Sequence, residues 1–140
     1  MHDLTVISSL IEAETGYSTY LMREKEFTLV NPLHLPLIYI GPFMLDSSAG
    51  GSVITNSNIF TEHGENLIET FEIHIQDTPE NLYKSWRNVA KSINGVNPYD
   101  HNEQNSIIFY KEGHIQGYEQ GQIRWLDYWN LSFPSLNPYI

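Results

Sequence analysis

The chain has 140 residues, 41% of them hydrophobic, no cysteine, and a formal charge of −10 from seven Lys and Arg against seventeen Asp and Glu. That length suits one domain with its own core, and the lack of cysteine excludes disulfides, thiolate metal sites and cysteine nucleophiles while fitting a reducing compartment. So acidic a chain lacks the cations that release counterions from phosphates, which argues against wrapping nucleic acid. The acidic residues form no tail, and solubility is their simplest use. The start, MHDLTVISSL, lacks the basic region of a secretory signal. No apolar run approaches the roughly 20 residues that cross a bilayer, so no membrane partner is expected.

In chain order, Asp3 can cap a first helix whose Leu4, Ile7, Leu10 and Ile11 share one face, and Thr15-Gly16 ends the pattern. From Tyr17 to Val30 short alternations flank the charged run Arg23-Glu24-Lys25-Glu26, and a hairpin or a helix extension both fit. After Pro32 and Pro36, the β-favouring run Leu37-Ile38-Tyr39-Ile40 predicts a strand covered on both sides, ended by Gly41-Pro42. Residues 46–52 (DSSAGGS) are a flexible loop by composition, and residues 53–61 suit an arm or hairpin strand, with Gly64 at the turn.

The stretch from Asn66 to Gly95 is the best-defined unit. Leu67, Phe71, Ile73 and Ile75 alternate with Thr70, Glu72, His74 and Gln76, which predicts a half-buried strand, with Glu69 out of pattern. The period then changes. Leu82, Tyr83, Trp86, Val89, Ala90 and Ile93 form a helical stripe. Asp77 or Thr78 can cap its start, Pro79 suits the first turn, and Asn94 or Gly95 can end it. Ser106 to Lys111 reads as a strand, Gly113, Gly117 and Gly121 punctuate a turn, and Gln122 to Phe133 is a long strand stopped by Pro134. On that strand Ile123, Trp125, Trp129, Leu131 and Phe133 share one face with Asp127 interrupting, and Arg124, Leu126, Tyr128, Asn130 and Ser132 lie opposite. Short turns favour antiparallel pairing, and both helices have one apolar face. The expected class is therefore α+β: a two-layer sandwich, mostly antiparallel, with two helices packed on one face of the sheet.

The chemistry-bearing residues form no recognisable catalytic pattern. His2, His34, His63, His74, His101 and His114 include no pair at helical i, i+4 spacing, and Asp100-His101-x-Glu103 is only the densest group of ligand types in a polar loop. No serine stands in a G-x-S-x-G elbow, and Ala49-Gly50-Gly51-Ser52 lacks the lysine of a phosphate loop. Pairs such as Glu12/Glu14 and Glu65/Glu69 arise by chance in acidic chains. No catalytic, cofactor-binding or metal-binding residue is expected. A small metal-dependent hydrolase using Asp100, His101 and Glu103 with His74 or His114 is a remote alternative, and a host adaptor domain another. The aromatics are the remaining signal. Trp86, Trp125 and Trp129 suit a core, whereas Arg124, Leu126 and Tyr128 would be left over on a sheet covered on one side only. A second copy of the chain is a natural partner for such a face, and Phe133, Leu136, Tyr139 and Ile140 point the same way unless the tail folds back on its own domain.

The order of elements resembles the tail-terminator (tail-completion) family of long-tailed bacteriophages, which includes relatives described as minor tail or neck proteins. The resemblance rests on the first amphipathic helix, the strand LPLIYI after a proline-rich approach, the glycine-containing loop, LIETFEIHIQDTPENLYKSWRNVAKSI, and the closing strands SIIFYK and QIRWLDYWNLSF. It covers most of the chain as a pattern of elements, with no unique motif, and such likeness is an analogy for function. The resemblance implies a non-enzymatic virion protein that assembles in the host cytoplasm as a homo-oligomeric, typically hexameric ring. That ring would sit on the head-proximal end of the tail, stop growth of the tube, meet the tail tube protein, offer a docking surface to a head-completion or neck protein, and let DNA pass without specific binding. A head-side neck protein or tail-sheath terminator shares this logic with another partner. The family often extends the region 46–61 toward neighbours, which implies the segment and no single residue; Leu45, Asp46, Val53, Ile54, Ile59 and Phe60, in it or beside it, are candidate interface residues. Arg124, Leu126 and Tyr128 on the sheet and Tyr139 in the tail complete the candidate set.

Overall fold

The computed structural model describes residues 4–21, 27–41, 44–45, 66–98 and 106–134. Helix α1 (Leu4–Thr15) buries Ile7 and Ile11 as its periodicity predicts. It stops where Gly16 takes φ 75° and donates to the Glu12 carbonyl at 3.0 Å, a conformation that glycine adopts without steric cost. Asp3, the expected cap, lies outside the described residues.

Strand β1 (Thr19–Leu21) follows directly, tied to α1 by Glu12, whose carboxylate accepts from the Thr19 amide at 2.8 Å and its hydroxyl at 3.1 Å. It runs parallel to β2 (Leu37–Ile40), with Thr19 opposite Ile38. Of the Tyr17 to Val30 region, the described residues 17–21 and 27–30 show neither expected form. The helix ends at Thr15, and a hairpin would have made the next pairing antiparallel. A parallel pair instead needs a crossing connection, which includes Phe27 to Val30 and a short 3₁₀ turn, Pro32–His34.

Among the described residues the sheet has six strands, with β2 followed in the order by β4 (Asn66–Asp77), β6 (Gln122–Pro134) and the edge strand β5 (Ile107–Glu119), β1 at the other side of β2, and β3 (Met44–Leu45) also paired to β4. Every pairing except β1 with β2 is antiparallel. Strand β4 is central, held along its whole length by β6 (Gln122–Pro134), from Asn66 opposite Pro134 to Asp77 opposite Ile123. Strand β2 is an inner strand, as its continuous hydrophobicity predicts, with Leu37, Ile38 and Ile40 buried. Strand β5 (Ile107–Glu119) forms one edge.

Strand β5 runs well past the expected end at Lys111, so Gly113 and Gly117 are strand residues and only Gly121 turns the chain, beside Gln120, with φ 80° and 47°. The physical reason is space. A Cβ on Gly113 would lie 2.6 Å from the Tyr110 hydroxyl and 2.7 Å from the Trp125 indole nitrogen, and one on Gly117 would meet the Phe27 ring at 2.9 Å. These glycines admit neighbouring side chains.

Helix α2 (Pro79–Ile93) starts from Thr78 in extended conformation, with Pro79 in its first turn. The Thr78 hydroxyl makes no capping bond. Asp77 instead accepts from the Thr78 amide at 2.8 Å and from the buried Ser85 hydroxyl at 2.6 Å, fastening the strand to the helix. At the other end Gly95 takes φ 77° and donates to the Ile108 carbonyl at 2.7 Å.

Both helices pack on one face of the sheet, giving the expected α+β sandwich. The core between the layers joins Ile7 and Ile11 of α1, Val89 and Ile93 of α2, and Ile38, Ile40, Phe71, Ile73, Ile75, Trp129 and Leu131 of the sheet. The opposite face does not match its expected exposure. Thr70, Glu72, His74 and Gln76 are as buried as the apolar residues between them. Strand β4 is covered on both sides, and its alternation separates an apolar interior from a polar one.

Candidate functional site

The most organised side-chain chemistry in the described residues lies under the start of α2. Asp127 stands on the helix-facing side of β6 opposite Ile73 of β4 and Gly113 of β5. Its position among Ile123, Trp125 and Trp129 breaks an apolar pattern in sequence, and the fold resolves that break. The indole of Trp125 donates to Oδ1 at 2.5 Å, that of Trp86 to Oδ2 at 2.6 Å, and that of Trp129 reaches Oδ2 at 3.4 Å. All three tryptophans of the chain thus converge on one buried carboxylate, and Tyr110 donates a fourth hydrogen bond.

Burial pushes the Asp127 carboxyl above the ordinary carboxylate range, and the bonds from Trp125, Trp86, Trp129 and Tyr110 pull it partly back. The Tyr110 hydroxyl is pushed up to about 12, first by burial and then by the Asp127 charge beside it. A buried carboxylate with this many donors is stabilised where it sits. Its oxygens are committed to neighbouring rings, so its role is to fix those rings.

The rings continue outward as a chain. Tyr110 meets Trp129 edge to face at 5.1 Å and Trp86 edge to face at 5.9 Å, and Trp86 stacks with Tyr83 at 6.2 Å between centroids. Trp129 is in the core as the sequence predicts, but Trp86 and Trp125 are half-buried. Together with Pro79, Leu82 and Tyr83 they line an open apolar groove of about 330 Å³. Tyr83 is 69% exposed at its rim. The groove offers aromatic faces and aliphatic edges with the Tyr83 phenol at its rim, which suits an apolar segment.

The candidate interface residues fall differently. Arg124 is 2% exposed and Leu126 4%, so the chain's own fold covers both, and Tyr128 is half-buried. The Arg124 Nε and Nη2 groups donate to Gln76 Oε1 at 3.2 and 3.0 Å. The guanidinium lies 4.8 Å from the Tyr39 ring centre and 5.8 Å from that of Phe27. Burial lowers its pKa, and Tyr39 offsets part of that. Gln76 donates in turn to the Thr28 carbonyl and to Gln122 Oε1, both at 2.8 Å. Gln122 grips Val30 twice, accepting its amide at 3.1 Å and donating to its carbonyl at 2.6 Å. The segment that the sequence left open, Phe27 to Val30, thus covers this end of the face that Arg124 was expected to present to a neighbour. Strand β3 places Leu45 opposite Glu69; Asp46, Val53, Ile54, Ile59, Phe60 and Tyr139 lie outside the described residues.

Of the remote hydrolase constellation, only His74 and His114 lie among the described residues, and His74 is committed to neighbours. That ring is buried, with Nδ1 at 2.7 Å from Gln116 and Nε2 at 3.2 Å from Glu72, so both nitrogens are engaged. His114 is exposed and faces Tyr128 at 6.0 Å. Asp100, His101 and Glu103 lie outside the described residues, and among the described ones no group of three His, Asp or Glu could hold a metal ion.

What the sequence reading missed is the groove and the role of Asp127. A lone acid between tryptophans two residues away on either side was the signal, since indole N–H groups in a core need an acceptor.

No protein-family model and no curated protein matches the chain. Among solved structures, a chain of a particle described as "Virion of native gene transfer agent (GTA) particle" is similar in fold, with a TM-score of 0.56, 11% sequence identity, and 89% of this chain and 84% of that chain covered. At that identity the likeness establishes a shared fold.

Proposed function

We propose that this chain is a non-enzymatic structural component of a phage-like virion. Within that class it is read as a ring-forming protein that closes the head-proximal end of a tail tube and offers the head a docking surface. The observation that carries the proposal is the fold likeness to a chain of a gene transfer agent virion over 89% of this chain and 84% of that one. The order of elements that resembles tail-terminator proteins supports it. So does the groove at the start of α2, which has aromatic walls suited to another chain. The charge of −10 is compatible with a ring that lets DNA pass without holding its phosphates. A head-side neck protein or sheath terminator would use the same surfaces on a different partner.

The test is the mass of the purified protein, alone and mixed with tail tubes. The expected result is a closed oligomer that binds tube ends and stops their elongation. A protein that stays monomeric at high concentration and leaves tube ends growing contradicts the proposal. Binding to sheath or to the head vertex in place of the tube selects the neck or sheath reading.

A further inference from the structure

We propose that the aromatic groove at the start of α2 receives residues 135–140 of a second copy of this chain. This deepens the self-association part of the reading above and does not depend on what the assembled ring docks onto. The groove joins Leu82, Tyr83 and Trp86 of α2 to Trp125 of β6, with Pro79 at its end. Two of its walls, Trp86 and Trp125, are held by hydrogen bonds to the same carboxylate, Asp127. A groove whose walls are already fixed loses little freedom when it is filled, which favours binding.

The segment 135–140 reads Ser-Leu-Asn-Pro-Tyr-Ile, and residues 128–140 include no charged side chain although the 140 residues carry a net −10. Leu136, Pro138, Tyr139 and Ile140 match an apolar groove, and a proline ring packs well against indole and phenol faces.

Reach decides which copy supplies the segment. Pro134 lies opposite Asn66 at one end of the β4–β6 pair, and Trp125 lies opposite Ile75 toward the other. The nine steps along β6 between them span about 30 Å at the rise of an extended strand, and the seven from Pro134 to Asp127, which holds the nearer wall Trp86, about 23 Å. The six residues of the segment span at most about 20 Å. They cannot turn back to their own groove, whereas the same segment of another copy can enter it. The groove and Pro134, after which the segment begins, lie toward opposite ends of the β4–β6 pair, so the contact is head-to-tail, the kind that closes into a ring when its rotation permits.

The test compares the full chain, a chain ending at Pro134, and the full chain carrying Tyr83→Glu, a substitution at a residue exposed enough to leave the core intact. In sedimentation, truncation and Tyr83→Glu should each weaken self-association at least tenfold, and the two together should weaken it no further. An equimolar mixture of the truncated chain, which keeps the groove, with the Tyr83→Glu chain, which keeps the segment, should form heterodimers and nothing larger. A synthetic peptide of residues 135–140 should shift the tryptophan emission of the truncated chain, and Tyr83→Glu in that chain should abolish the shift. A peptide that leaves the emission unchanged at millimolar concentration, or truncation that leaves association intact, overturns the proposal. Head-to-tail association that survives while tube ends stay uncapped would refute the tube reading alone.

Discussion

Strand β6 buries two ionisable residues on opposite faces, and the two are accommodated in different ways. Asp127 faces the helices and is surrounded by aromatic donors: three indoles and a phenol. Arg124 faces away from them, donates to the neutral amide of Gln76 and lies against two rings, with Gln76 and Gln122 passing the contact on to the backbone of Thr28 and Val30. The first arrangement fixes side chains that remain partly open to solvent, so it shapes a surface. The second fastens an irregular segment over the sheet, so it closes a surface. A buried charge needs hydrogen-bond partners in either place; what those partners are attached to determines whether the site opens outward or seals the fold.

Substitutions on each side can break this contrast. The largest effect is expected for Asp127→Ala, which leaves up to four donors without their acceptor. Each stranded buried donor costs about 1–3 kcal/mol, and partial hydration at Trp86 and Trp125 should hold the total near 3–4 kcal/mol in urea unfolding. The same variant should move the tryptophan emission, because all three indoles lose one partner. On the opposite face, Gln76→Ala removes the acceptor of Arg124 and the donor to the Thr28 carbonyl, with an expected loss of about 2 kcal/mol and little change in emission. If the two variants altered the emission equally, the proposed division of labour would fail.

A smaller effect is expected from Gln122→Ala, about 1–2 kcal/mol, because the two bonds to Val30 can be taken over by water once the strap loosens. Faster amide exchange confined to Val30 and its neighbours would identify the strap as a separate unit.

The pH dependence should be the mildest signature. The folded-state pKa of Asp127 lies above its unfolded value, so the folded protein binds the extra proton in the interval between them. Its contribution to stability is therefore fully present below the ordinary carboxylate range and declines as pH rises through the raised folded value. Asp127→Asn keeps one acceptor oxygen and should flatten that decline in a series of urea midpoints. At the alkaline end Tyr110, pushed up to about 12, should be late to ionise in an absorbance titration, and Tyr110→Phe should remove that late step.

Much of the architecture was legible from periodicity. The stripe from Leu82 to Ile93, the run Leu37 to Ile40 and the alternation through Phe71, Ile73 and Ile75 each had one arrangement that buries their apolar atoms, and the fold uses it. The failures share a cause. Glu72, His74 and Gln76 look solvent-facing because polar side chains usually are, yet they are buried, His74 between Gln116 and Glu72 and Gln76 against Thr28 and Gln122. Gly113 and Gly117 look like turn residues because glycine often is, yet they make room for Asp127, Tyr110, Trp125 and Phe27.

The sequence by itself determined the α+β class, the span of both helices and the central strand, because these follow from local period and from the free energy of burying apolar surface. Only the tertiary structure decided that β1 runs parallel to β2, that the strap from Phe27 to Val30 lies over the polar face, and that the distant Trp86 joins Trp125 and Trp129 on one carboxylate. Those features depend on contacts across as many as 92 positions. Period records which side of its own element a residue faces; whether another element arrives to cover that side is settled only when the whole chain packs.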